Sequence, residues 1–102
     1  MKIKATKEGR PNMYVPEKES LKEFIKSKKL EQIHNFIPSG MMILGADHEV
    51  KSVLEDIDRA DRLVVFTDNS ANMGHSLALI WKEKLECYDI GEIKESDIDL
   101  TP

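Results

Sequence analysis

The residues with the most chemistry within reach of one another stand in the last third of the chain. His75 follows Gly74 at the head of an apolar run over residues 77–81, and Cys87-Tyr88-Asp89 lies in the next apolar run. A histidine beside an aspartate is the pairing that general-base catalysis needs, because imidazole accepts a proton near neutral pH and a carboxylate holds its orientation and charge. If residues 82–84 make a three-residue turn, Trp81 faces Leu85, Leu79 faces Cys87, Leu77 faces Asp89 and His75 faces Gly91. Odd-numbered residues then share one face. His75 and Asp89 become diagonal neighbours at roughly 7–8 Å, which makes them the candidate catalytic residues.

A Gly-His at the head of one strand, with an aromatic-Asp on the next, is similar to the His and Asp portion of papain-like thiol hydrolases. The resemblance implies that His75 is base to a cysteine nucleophile and that Asp89 orients the imidazole. It spans residues 72–80 and 87–89. The family nucleophile precedes the His at the start of a helix, whereas the single cysteine here, Cys87, follows it. The same register puts Cys87 four strand positions from the residue facing His75, about 13 Å at ~3.3 Å per residue. Ser39 and Ser52 lack the G-x-S-x-G setting of an activated serine. Cys87 therefore reads as a small apolar core residue.

Other chemistries find less support. His34, His48 and His75 are scattered, with no H-x-x-x-H or C-x-x-C pair to bring two metal ligands onto one turn. Asp68, Ser70 and Asn72 have the spacing that begins a calcium loop, yet glycine comes one place late at Gly74, and Leu79 stands where glutamate is required. No G-x-G-x-x-G or Walker spacing occurs, so neither a metal nor a cofactor is expected. The polar segment 68–74 exceeds the usual hairpin connection. It makes Asp68, Asn69, Asn72 and Gly74 the candidate binding residues, displayed on a loop between rigid strands.

Several elements must position these groups. Residues 3–7 alternate as an edge strand would, and Glu8-Gly9-Arg10-Pro11-Asn12 is turn-prone. Pro16 suits a first helical position, and Leu21, Phe24 and Ile25 share a face opposite Lys18, Lys22, Lys26 and Lys29, so the spacing predicts an amphipathic helix over 16–28. Residues 30–37 fit helical or strand spacing equally until Pro38 ends them. Met41-Met42-Ile43-Leu44 is a short apolar run. Asp47 then looks like an N-cap, followed by Val50, Val53, Leu54 and Ile57 at helical spacing, which predicts a helix over 48–59. Residues 63–66, 75–81 and 85–90 read as three antiparallel strands in a meander. The expected fold is α+β: amphipathic helices on one face of a small antiparallel sheet. It is a single domain of 102 residues, with 1–13 and 92–102 loosely ordered.

Composition narrows the function. One cysteine excludes a disulfide scaffold, and the longest apolar runs fall far short of the ~20 residues that span a bilayer. A cytoplasmic setting is the expectation. The net charge is −4, distributed unevenly: residues 1–30 hold nine basic and four acidic residues, the remainder six and fifteen. An acidic body argues against nucleic-acid binding. The expected function is that of a small acidic binding protein, of inhibitor, immunity or anti-defence type, acting on a protein partner and not as an enzyme. The alternatives are a minimal hydrolase or small-ligand domain using His75 and Asp89, and a homo-oligomer joined through its sheet.

Overall fold

The computed structural model describes residues 2–8, 12–36, 46–67, 77–81, 85–91 and 93–100. In chain order the strands are β1 (Ile3–Lys7), β2 (Met13–Pro16), β3 (Gln32–Phe36), β4 (Asp47–Glu49), β5 (Arg62–Phe66), β6 (Leu77–Trp81), β7 (Leu85–Asp89) and β8 (Ile98–Leu100). Helix α1 (Lys18–Ser27) follows β2, and α2 (Val50–Arg59) follows β4. The strands form one sheet in the order β4-β3-β7-β6-β5-β2-β1-β8. Every neighbouring pair is antiparallel except β1 and β8, which run parallel. The α+β class is thus as the sequence predicts, with a sheet wider than its expected three-stranded core.

Residues directly across a ladder share a face, so register assigns sides. Tyr14 pairs with Val65, and Asn35 with Tyr88. Ile3, Ala5, Tyr14, Ile33, Leu63, Val65 and Tyr88 all line one face and form one core with Leu21, Phe24 and Ile25 of α1 and Val53 and Ile57 of α2. Val50 and Leu54 pack against its margin. The four apolar positions read from the sequence as the inner face of α2 are therefore the ones that cover the sheet. Lysines join the helices: Lys18 Nζ donates to the carbonyls of Asp58 and Ala60 at 3.1 and 2.9 Å. Lys22 Nζ pairs with Asp58 at 2.7 Å and Glu19 at 3.0 Å, and these carboxylates hold its ammonium above the usual lysine range.

The meander is present, and its register is the expected one: Leu77 opposite Asp89, Leu79 opposite Cys87, Trp81 opposite Leu85. Residues 32–36, where the pattern left helix and strand open, are strand β3. Four expectations change. Residues 13–16 form a strand and Glu17 takes the N-cap of α1, so Pro16 ends β2 and does not begin a helix. Residues 3–7 are not an edge strand, because β8 docks outside them. Asp47 is not the cap of α2: residues 47–49 pair with β3 as β4, and Glu49 occupies the N-cap without a side-chain bond. His48, in turn, is half-buried with its ring edge-on to Tyr88, 5.8 Å between centroids. Local spacing favoured a cap, but the ladder satisfies the same backbone groups and aligns Asp47 with His34.

The terminal stretches, read from the sequence as loosely ordered, supply β1 and β8. Ile93 is buried, and Tyr14 donates its hydroxyl to Glu95 Oε1 at 3.2 Å, tying β2 to the segment that leads into β8. Burial and then Glu95 raise the Tyr14 phenol above its ordinary range. The run 41–44 lies outside the described residues.

Candidate functional site

Of the candidate catalytic and binding residues, Asp89 is the one the structure describes; His75, Asp68, Asn69, Asn72 and Gly74 lie outside the described residues. Asp89 ends β7, half-buried. Its Oδ1 accepts the Gly91 N–H at 3.1 Å, and Gly91 sits at φ +83°, the left-handed conformation that glycine adopts without strain. Asp89 thus braces the turn that leaves the sheet.

The ladder gives Asp89 a neighbour that linear spacing does not show. His34 on β3 lies directly opposite Asp89 on one side and opposite Asp47 on the other. Asp47, His34 and Asp89 therefore form a row across β4, β3 and β7, on the face away from the helices. Asp47 Oδ1 stands 3.0 Å from His34 Nδ1, and the two side chains are 57% and 50% exposed. A contact so open to water contributes little stability. Glu49, exposed on the same edge strand, shares this face with Asp47. At the other side of the sheet, Lys2, Lys4 and Lys7 are exposed on and beside β1. Asp47 and Glu49 thus stand at the β4 end of the sheet and these lysines near its β1 end, where Asp99 of β8 is also paired beside Lys4.

Cys87 lies two residues from Asp89 on the same face, and its strand partner is Phe36, two positions from His34. That makes Cys87 and His34 diagonal neighbours, yet the thiol is 2% exposed, and among the described residues no hydrogen bond joins it to an imidazole. Burial pushes the thiol up to about 11. The nucleophile in thiol catalysis is the thiolate, which a buried, unassisted cysteine rarely forms at neutral pH. Cys87 is core, as its sequence setting predicts.

A second polar group lies on the helix face. The Tyr88 hydroxyl is 2.7 Å from both Asp56 Oδ2 on α2 and Glu86 Oε2 on its own strand. Asn35 Nδ2 donates to the same Glu86 oxygen at 3.4 Å, while Asn35 Oδ1 accepts the Ala46 N–H at 2.9 Å. Burial first, and then the two carboxylates, raise the Tyr88 phenol far above its ordinary range, so it stays a neutral hydrogen-bond donor. Tyr88 is fully buried and Glu86 nearly so. This cluster holds α2 against β7 and β3.

Neither His34 with Asp47 nor the Tyr88 cluster is evident from spacing along the chain: His34 and Asp47 are 13 positions apart, Tyr88 and Asp56 are 32, and Asn35 and Glu86 are 51. Among the described residues, no group of three or more His, Cys, Asp or Glu side chains could hold a metal ion, and no helix is long and apolar enough to cross a membrane. Neither a protein-family model, nor a curated protein, nor a solved structure matches the chain.

Proposed function

We propose that this chain is a small cytoplasmic protein-binding module, of inhibitor, immunity or anti-defence type, that docks its acid-bearing sheet edge on a basic surface of a larger protein. The observation that supports this reading is the grouping of Asp47, Glu49 and Asp89 at the β4 side of the sheet, opposite the lysines of the β1 side. Such separation steers a partner by charge and sets the orientation of docking. Residues 68–74 belong to the same reading through Asp68, Asn69, Asn72 and Gly74.

The test is capture of a partner from source-cell lysate with three proteins in parallel: wild type, Asp47→Lys/Glu49→Lys, and Asp68→Ala/Asn72→Ala. A basic protein retained by wild type and lost by the charge-reversed variant supports the edge. Loss by the loop variant alone moves the contact to residues 68–74. Equal recovery by all three overturns both. A second reading, a hydrolase or small-ligand site with His75 and Asp89, draws on the pairing of Leu77, two residues after His75 in the chain, with Asp89. It requires a turnover that His75→Ala abolishes in a folded protein.

A further inference from the structure

The two edges of the sheet are unlike. At one edge, β4 carries Asp47 and Glu49 on one face. Pairing this edge with its own copy, antiparallel about His48, would set each Asp47 opposite the other copy's Glu49, and like charges directly across a ladder repel. Short, charged edge strands resist edge-to-edge association in this way.

At the other edge, β8 carries one charge, Asp99, and the exposed large hydrophobic residue of the described chain, Leu100, at 55% exposure. Register with β1 sets Ile98 beside Ile3, Asp99 beside Lys4 and Leu100 beside Ala5. Ile98 and Leu100 therefore lie on the helix side of the sheet, and Asp99 and Lys4 on the other.

We propose that β8 is a self-association edge, on which a second copy of this chain adds its own β8 antiparallel about a two-fold axis through Asp99. Three features favour this occupant and one opposes it. The edge keeps backbone donors and acceptors that pairing would satisfy. Ile98 comes opposite Leu100 of the second copy, and Leu100 opposite its Ile98, so the exposed leucine gains an apolar neighbour twice over. Against pairing, the two Asp99 side chains meet across the axis, a repulsion that the Lys4 in register beside each offsets in part, giving a row of charges +, −, −, +. Pairing of one identical surface patch closes into a dimer and does not propagate into a filament.

The contact is three residues long on each side, smaller than the interfaces of tight complexes. Association is therefore expected at high concentration, and sedimentation equilibrium up to about 1 mM is the measurement. Wild type should show a monomer–dimer equilibrium. Leu100→Lys places a charge on the edge and should weaken dimerisation by about tenfold or more, with circular dichroism confirming the fold. Asp99→Asn removes the like-charge meeting on the axis and should tighten it, an effect that falls off as salt rises. A wild type monomeric throughout, a dimer indifferent to Leu100→Lys, or an Asp99→Asn dimer no tighter than wild type overturns the proposal.

Discussion

Tyr88 and Asp56, 32 residues apart, meet at 2.7 Å between the phenol oxygen and Oδ2, and this contact is where α2 is fastened to the middle of the sheet. The same hydroxyl lies at 2.7 Å from Glu86, so one side chain serves two carboxylates from two elements. Tyr88→Phe leaves the ring and its packing but removes the single hydroxyl that the two carboxylates share, with Asn35 still donating to Glu86. A hydrogen bond to a charged group contributes about 1.5–3 kcal/mol, and that loss is expected in urea denaturation. An unchanged midpoint would mean that packing alone holds α2.

Two positions with left-handed backbone should respond in opposite directions. Lys29, at φ 54°, is the residue just past the end of α1, where glycine is the favoured occupant. Lys29→Gly should raise stability by about 0.5–1 kcal/mol, once the added freedom of the unfolded chain is set against the relieved strain. Gly91, at φ +83°, should lose about 1–2 kcal/mol as Gly91→Ala. There is room for the methyl group, whose nearest neighbour would be Lys28 Cδ at 3.6 Å, so backbone strain is the cause. Thermal denaturation of the pair reads both signs, and a loss on Lys29→Gly would contradict the capping argument.

Cys87 links stability to alkaline pH. Its thiol ionises near 9.0 when unfolded and at about 11 in the fold, so the unfolded chain releases its proton first. The stabilisation from the neutral thiol is complete below pH 9 and is lost as pH rises from 9 toward 11. Urea denaturation across that window should show falling stability, with a shallower fall in Cys87→Ala. Native protein at pH 8 should also label slowly with a thiol reagent until denaturant is added. Rapid labelling of the folded chain would refute the burial argument.

The Asp47–His34 pair separates binding from folding. Because both side chains are exposed, Asp47→Ala should change stability by less than about 1 kcal/mol. If the β4 edge is the docking surface, the same substitution should weaken partner capture, and wild-type binding should weaken as salt rises. Strong destabilisation by Asp47→Ala would show that the pair serves the fold instead.

How much of this was legible in advance depended on distance along the chain. The inner face of α2 follows from Val50, Val53, Leu54 and Ile57, because helical periodicity is local and survives in any packing. The register of β6 against β7 follows from the three residues that separate them in sequence, since a short connection leaves strands few ways to align. Asp47 was misread because a helix cap and an edge-strand residue share the same local signature; what decides between them is the presence of β3, 13 residues back at His34. The strand Met13–Pro16 has a local signal in Met13-Tyr14-Val15, but three residues before a proline say little without the neighbour that receives them.

By itself, the sequence determined the α+β class, the inner face of each helix, the meander and the burial of Cys87, all of which rest on contacts between near neighbours or on composition. The tertiary structure alone decided the order of the eight strands, the parallel docking of β8 on β1, the row Asp47–His34–Asp89 and the Tyr88 clasp on Asp56. The physical reason is that cross-strand neighbours are chosen by which hydrophobic faces can be buried together over the whole chain. That is a global minimisation of exposed apolar surface, and no local spacing records it.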